Sequence, residues 1–155
     1  MKAEHINPFI TSTSEVFRTM LSIDPVRGQL YVKSGEKLPY DISGIIGLAG
    51  EASGFVIISM TESLALKVVE KFIGEKKEKI DDDVMDAIGE ILNMIAGGAK
   101  QIFSRTGTKF KISIPNVVVG KDHVVGKQKN VQCLGMTFKV GEEMFVIEVA
   151  LKDGN

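Results

Sequence analysis

The sequence is poor in the residues that most often form metal centres and covalent catalytic sites. It contains one cysteine, two histidines and no tryptophan. Cys133 has no partner for an intramolecular disulfide, and its place in the strand-like run VQCLGMTF favours burial as a small apolar side chain. His5 and His123 lack cysteine or histidine neighbours at metal-ligand spacing and have no convincing serine or cysteine partner. We therefore expect neither a structural zinc site nor a nucleophile activated by histidine.

The sequence also lacks long apolar runs and an excess of one charge. No segment approaches the roughly 20 apolar residues of a membrane helix, and the start, MKAEHINPFITSTSEVF, has neither the apolar run nor the cleavage site of a signal peptide. A net charge of -1 argues against nucleic acid as a partner. With 155 residues, 44% hydrophobic and 25% charged, we expect one domain over residues 1–155 of a cytoplasmic protein without a membrane partner.

Hydrophobic periodicity predicts a mixture of helices and strands. Helical spacing predicts helices over residues 6–24, 61–73 and 81–105. Asn7 is the predicted N-cap of the first helix with Pro8 after it, Thr61 is the predicted cap of the second, and Gly74 ends the second. Alternation predicts strands over residues 29–33, 42–49, 54–60, 110–114, 117–120, 131–140 and 144–151. Polar loops are predicted over residues 34–41 and 123–130.

The third predicted helix has two faces of different chemistry. At about 100° per residue, its apolar residues fall on one stripe, which is typical of a helix packed on a core: Val84, Ile88, Ile91, Leu92, Ile95, Ala99, Ile102 and Phe103. A second stripe on the opposite side, called here the polar stripe, consists of Asp86, Glu90, Asn93 and Gly97. Such a stripe is often no more than a solvated helix face, so its residue types must decide whether it has a function.

Two residues of the polar stripe have chemistry that suits a phosphorylated partner. The Asn93 carboxamide is able to donate to a phosphoryl oxygen while its carbonyl orients a water molecule. Glu90, about one turn away, repels a phosphate but attracts a cationic group beside one. Gly97 leaves room for a partner to approach the helix backbone. The acidic run Asp81 to Asp83 is better explained as a helix start than as a metal site, because further ligands are missing.

The order helix, strand, hairpin occurs twice along the chain, with one additional helix between the copies. Residues 55–58 correspond to residues 145–148, and Phe17 corresponds to Phe103. The repeat predicts an α+β fold, a pseudo-twofold duplication of helix-strand-hairpin units with long helices side by side on a largely antiparallel sheet.

The first copy of the repeat has an incomplete version of the polar stripe. Glu4 and Asn7 stand where Glu90 and Asn93 stand in the second copy, but no residue matches Asp86. Because Asn7 is expected to cap the first helix, we interpret this copy as a helix start and not as a working site.

The spacing of the polar residues resembles the signature of a known family. An Asp or Ser, three residues, a Glu, two residues, an Asn, twenty-one residues and a Pro characterise the chemotaxis phosphatases of the CheC, CheX and FliY group. Asp86, Glu90, Asn93 and Pro115 meet each spacing. The chain length, the single complete motif, the Asn7-Pro8-Phe9 opening and the duplication are most similar to the CheX members. The resemblance covers essentially the whole chain and implies the CheC-like fold.

The resemblance implies a function that the residue pattern alone does not. It implies hydrolysis of the aspartyl phosphate on a CheY-like response regulator, in which Asn93 places the attacking water and Glu90 engages a lysine of the regulator. Asp86, Gly97 and Pro115 are then supporting residues. The Mg²⁺ ion is expected on the regulator, so no cofactor is expected on this chain. A homodimer is expected because CheX-like relatives form homodimers.

Two other functions are compatible with parts of this pattern. One is a non-catalytic module that binds a response regulator or the flagellar switch, because the same fold resembles the middle domain of flagellar switch proteins. A small-molecule hydrolase with a cleft between the two halves is the other, although the sequence shows no nucleophile or metal ligands for it. The Glu90 and Asn93 pair favours the phosphatase over a scaffold, which would not require it.

Overall fold

The computed structural model describes residues 3–33, 40–120 and 132–153, and within them three α-helices pack on one seven-stranded sheet. The helices are α1 (Asn7–Leu21), α2 (Glu62–Ile73) and α3 (Asp82–Arg105). The strands are β1 (Val26–Val32), β2 (Ile42–Gly50), β3 (Ala52–Met60), β4 (Phe110–Ile112), β5 (Asn116–Val119), β6 (Cys133–Val140) and β7 (Glu143–Asp153). One turn of 3-10 helix, Ala3–His5, precedes α1.

The sheet interleaves the two halves of the chain. Its order is β1-β6-β7-β3-β2-β4, with β5 also paired to β2, and all these pairs are antiparallel. The hairpins β2–β3 and β6–β7 meet at the centre, where Ile57 pairs with Glu148 and Ile58 pairs with Ile147. The predicted pseudo-twofold fold is confirmed. The outer strands are exchanged, since β1 pairs with β6 of the second half while β4 and β5 pair with β2 of the first.

The helices and one face of the sheet enclose the core, and α1 lies directly beside α3. Phe145 stacks between Phe17 and Phe138, with ring centroids 4.6 and 5.0 Å away. The buried Ser12 hydroxyl of α1 donates to the Ile95 carbonyl of α3 at 2.7 Å. A Cβ added at Gly98 would overlap Ser12 Oγ, so the two helix backbones approach each other closely there. The prediction that the two long helices are neighbours is confirmed.

A buried ionic group lies on the opposite face of the sheet. Glu148 of β7 is only 1% exposed and accepts hydrogen bonds from the Tyr31 hydroxyl at 2.9 Å and from Lys33 Nζ at 3.1 Å. Burial, followed by the negative charge of Glu148, raises the pKa of Tyr31 above its ordinary value. The pairing satisfies charges that would otherwise be costly to remove from water.

The prediction that Asn7 caps the first helix was wrong. Ile6 is the N-cap, and Asn7 is the first helical residue, with its side chain exposed. The 3-10 turn before the helix leads Ile6 into it with φ -90° and ψ -25°, whereas a side-chain cap normally has extended backbone. The Ile6 carbonyl accepts from the amides of Phe9 and Ile10, both at 3.0 Å. Asn7 is therefore not used for capping.

Other predicted boundaries agree more closely with the structure. Thr61 Oγ1 accepts from the Leu64 amide at 3.3 Å, and Gly74 ends α2 with a φ of 74°. Strand β1 begins three residues earlier than predicted, because its pairing with β6 extends to Val26. Cys133 is buried, as predicted. The predicted loop over residues 123–130 lies outside the described residues. No helix in the described ranges is both long and apolar enough to cross a membrane.

Candidate active site on helix α3

The acidic run before α3 serves to start the helix. Asp81 Oδ1 accepts from the Val84 amide at 2.9 Å, and this hydrogen bond lowers the pKa of Asp81. Lys77 Nζ lies 3.2 Å from Asp81 Oδ2 and 3.0 Å from Asp83 Oδ2. Among the described residues, no group of three or more His, Cys, Asp or Glu side chains is arranged to hold a metal ion.

The apolar stripe fixes α3 on the core. Ile91, Leu92 and Ile95 are completely buried, as the periodicity predicted. A Cβ added at Gly44 of β2 would lie 3.3 Å from Leu92 Cδ2, so this glycine lets the helix approach the sheet. Packing on the sheet and against α1 leaves α3 little freedom to rotate. Groups on its outer side are therefore held in a defined direction.

The polar stripe faces outward, as predicted. Asp86 and Glu90 are exposed, whereas Asn93 and Gly97 are half-buried. Within the described residues, the Glu90 and Asn93 side chains make no hydrogen bond or ion pair. A Cβ added at Gly97 would meet nothing within 4 Å. With a rise of about 1.5 Å per residue, Glu90 and Asn93 are about 4.5 Å apart along the axis. A carboxylate and a carboxamide are thus presented together beside open space.

Pro115 lies next to this site although it is distant in sequence. Its ring packs on α3 at Gly89, the residue before Glu90, where an added Cβ would be 3.4 Å from Pro115 Cγ. The segment that carries Pro115 is tied to β2, because Ser113 Oγ accepts from the Gly47 amide at 2.8 Å and the Ser113 amide donates to the Gly47 carbonyl at 2.9 Å. The structure therefore brings Pro115 to the flank of the polar stripe.

Gly89 is the residue of this region that the sequence interpretation missed. A glycine inside a helix costs roughly 1 kcal/mol relative to alanine, so its presence between the buried Ile88 and the exposed Glu90 was a usable signal. The reason for it becomes visible only when the partner of the glycine, Pro115, is known.

Comparison with known proteins assigns the family. The profile of the family described as chemotaxis phosphatase CheX matches residues 42–139, a span that contains all five predicted site residues. The chain belongs to this family. The CheY-P phosphatase CheX of Thermotoga maritima is 30% identical to it over 160 residues, 99% of each protein. CheX membership therefore makes the chain a phosphatase, as the spaced motif implied.

Two crystal structures support the same assignment. A CheC-like superfamily protein from a Shewanella species is 35% identical with a TM-score of 0.91, covering 98% of this chain and 99% of the other. This confirms the predicted CheC-like fold. The CheX of a Borrelia burgdorferi CheX-CheY-BeF3-Mg²⁺ complex is 26% identical with a TM-score of 0.84, covering 98% of this chain and 100% of the other. That CheX is thus bound to CheY, with Mg²⁺ in the same complex.

Proposed function

We propose that the protein dephosphorylates the aspartyl phosphate of a CheY-like response regulator in the cytoplasm, with Glu90 and Asn93 as its working pair. The observation that carries the proposal is the placement of these two side chains, which face solvent together on a helix whose other side is buried. The partner is supported by the relatives, since the Thermotoga protein is named for CheY-P and the Borrelia protein is bound to CheY.

In the proposed reaction, a water molecule attacks phosphorus and the bond to the aspartate oxygen breaks. Inorganic phosphate leaves, and the regulator regains its carboxylate. The Asn93 carboxamide accepts a hydrogen bond from the water and holds it in line with the breaking bond. An amide suits this place because it carries no charge to repel the phosphoryl group.

Glu90 acts on the partner and not on the water. Its carboxylate pairs with a lysine of the regulator beside the phosphoryl group, which sets the register of the two proteins. The Mg²⁺ ion belongs to the regulator and neutralises the phosphoryl oxygens there. This chain supplies no ligand to that ion and contributes positioning and charge complementarity.

The remaining predicted residues support this pair. Asp86, one turn before Glu90, extends the negative end of the polar stripe, and Gly97 leaves space for the surface of the regulator. Pro115 fixes the flank of α3 through its contact with Gly89. These residues hold the working pair in position and do not touch the reacting atoms.

A homodimer is part of the same proposal. Strand β1 lies at one end of the described strand order, and Val26, Leu30 and Val32 on it are 64%, 46% and 57% exposed. Unpaired backbone groups and exposed apolar side chains on one strand favour pairing with a second copy. Sedimentation equilibrium tests this, and a purely monomeric protein at micromolar concentration contradicts it.

The test of the reaction follows phosphate loss from a phosphorylated regulator with Mg²⁺. We expect Asn93→Ala to lower the rate constant at saturation roughly 100-fold or more, the magnitude found when a positioned polar group at a reacting centre is lost. The unfolding free energy should change by only about 0.5 kcal/mol, because the side chain makes no hydrogen bond among the described residues. Gln101→Ala is the matched control, since it removes an exposed amide from the same helix.

Glu90→Gln separates docking from chemistry. Loss of the charge is expected to raise KM, and Glu70→Gln on α2, also an exposed glutamate, is the control. If the wild-type protein binds the phosphorylated regulator but leaves its dephosphorylation rate unchanged, the protein is a binding module and the proposal is wrong. A large loss of stability in Asn93→Ala would instead show that Asn93 is structural.

A further inference from the structure

A cleft of about 700 Å³ lies beside the C-terminal half of α3. Lys100 and Ser104 line it from the helix, and the opposite wall is formed where the end of β2, at Gly50, pairs with the start of β4, at Phe110. Its lining is mostly apolar. The reaction described above makes no use of this cleft.

The cleft wall formed by the ends of β2 and β4 is held by hydrogen bonds and close packing. Gly50 has a φ of 139°, and a Cβ there would lie 3.1 Å from both the Lys109 carbonyl and Phe110 Cα. The Glu51 amide donates to the Lys109 carbonyl at 3.1 Å. Phe110 is buried and packs edge-on against Phe103, with ring centroids 5.4 Å apart. The cleft is therefore a fixed feature of the sheet edge.

Positive charge surrounds the cleft. Lys100, Lys109 and Lys111 all line it, and all three are exposed. None of them forms an ion pair with another residue of the described ranges, and Glu51 is the one carboxylate among the lining residues. Lysine stems are apolar while their ends are cationic. The cleft is thus suited to an apolar side chain next to a carboxylate.

The cleft continues the polar stripe. Lys100 and Ser104 follow Asn93 and Gly97 at intervals of three and four residues, so all four lie on the same side of α3. Lys100 is about 10 Å along the axis from Asn93, and Ser104 is about 16 Å from it. The surface changes from acidic at Glu90 to basic at Lys100 within three turns of one helix.

A protein docked on Asn93 would extend to the helix side of this cleft. A standard interface buries about 800 Å² on each partner, which corresponds to a disc of roughly 16 Å radius. A disc of this size centred on Asn93 contains Lys100, and its rim lies close to Ser104. Lys100, which has no ion-pair partner among the described residues, then lies inside the interface, and the cleft that it lines together with Lys109 and Lys111 adjoins the docked surface.

We propose that this lysine-lined cleft is a second docking point for the same response regulator, and that it takes a segment in which a carboxylate stands beside an apolar side chain. The inference rests on the proposed function, because it takes Asn93 as the centre of the docking surface. Glu90 attracts a cation at one end of the helix face and the cleft attracts an anion at the other. The two opposite charges fix the direction in which the regulator docks.

The test uses charge reversal outside the working pair. Lys109→Glu/Lys111→Glu changes the cleft, and Lys139→Glu/Lys152→Glu makes the same change in net charge at exposed lysines of β6 and β7. Affinity is measured for the regulator bound to Mg²⁺ and beryllium trifluoride, which stands in for the phosphoryl group. Hydrolysis of the phosphorylated regulator is measured separately. We expect the cleft variant to raise Kd and KM about tenfold and to leave kcat within about twofold. Its Kd should also depend less on salt.

The outcomes separate this inference from the proposed function. A wild-type protein that binds without hydrolysing the phosphate overturns the proposed reaction, while the Kd comparison still decides the role of the cleft. Equal Kd values for the two double variants overturn the cleft inference, whatever the rate of hydrolysis. A cleft variant with unchanged Kd but altered sedimentation would assign the cleft to a second copy of this chain, and that result also overturns the inference.

Discussion

Pro115 lies against the backbone of α3 at Gly89, where an added Cβ would be 3.4 Å from Pro115 Cγ. Asn93 is one turn along the helix from Gly89. The contact therefore brings together two parts of the spaced motif, Asn93 and Pro115, that are 22 positions apart in the sequence. Strand β5 starts directly after Pro115 and pairs with β2, so the sheet holds the proline and the proline limits rotation of the helix. The contact gives the proposed supporting role of Pro115 a physical basis.

Substitutions at Gly89 should separate helix stability from positioning. Gly89→Ala places its Cβ at ordinary contact distance, 3.4 to 3.6 Å from Pro115 and Val117. Because alanine favours a helix interior, we expect the unfolding free energy to rise by about 0.5–1 kcal/mol in urea titrations, with activity retained. Gly89→Leu should displace Pro115 and lower phosphatase activity. Equal activity of the leucine and alanine variants would show that Pro115 does not position α3.

The contact between α1 and α3 should make Gly98 intolerant of a side chain. Gly98→Ala is expected to lower the unfolding free energy by about 1–3 kcal/mol, because its Cβ would overlap the buried Ser12 hydroxyl. Ser12→Ala removes that hydroxyl and should restore part of the loss in the double variant. A double-mutant cycle in urea measures the coupling. If the two substitutions have additive effects on the free energy of unfolding, the helices move apart and the Gly98→Ala side chain does not clash with Ser12. Gly97→Ala, with open space at its Cβ, is the control.

Alkaline pH should destabilise the fold through Tyr31. Burial and the charge of Glu148 raise the pKa of Tyr31, so the folded protein keeps the phenol proton that the unfolded chain releases near pH 10. Above that pH the unfolded state binds fewer protons, and the free energy of unfolding therefore falls as pH rises. Tyr31 should contribute up to about 1.4 kcal/mol per pH unit, and Tyr31→Phe should reduce the slope. Tyr40 also has a raised pKa, caused first by burial, and leaves a residual slope.

Urea titrations between pH 8 and pH 11 measure this slope in both proteins. The comparison uses slopes and not absolute values, because Tyr31→Phe also removes a hydrogen bond to Glu148 and lowers stability at neutral pH. If the free energy of unfolding falls with pH at the same slope in the wild-type protein and in the variant, the loss of stability at alkaline pH comes from groups other than Tyr31.

Local chemistry explains why much of the fold was predictable. Thr61 and Asp81 lie directly before apolar periodic segments and cap their helices with their own side chains, so sequence alone was sufficient there. Asn7 is also one of the preferred capping residues and stands before a similar segment, but it does not cap. The turn that precedes α1 sets the backbone of Ile6, and its effect is not visible in the periodicity. Thr61 and Asp81 themselves have the extended backbone that a side-chain cap requires, whereas Ile6, the N-cap of α1, has a helical backbone.

Two features that could not be predicted depend on which strands are neighbours. Lys33 and Glu148 are 115 positions apart and meet because β1 is exchanged into the second half of the sheet. The cleft beside Lys100 exists because the end of β2 pairs with β4. Periodicity places a residue on a face of its own element, and it gives no information on the order of the strands. The polar stripe was predictable because it lies on one helix.

The exchanged strands also determine what each half of the molecule does for the site. Both strands that flank Pro115, β4 and β5, pair with β2, which belongs to the first half of the chain. The first half of the chain, whose own Glu4 and Asn7 stripe is incomplete, thus provides the strand that holds β4, β5 and Pro115 in place. The first half is therefore needed to build the candidate site, although it has no complete polar stripe of its own. If the chain were divided between α2 and α3, β2 would lie in a different fragment from β4 and β5, so the second fragment alone would lack the strand that holds Pro115 against α3.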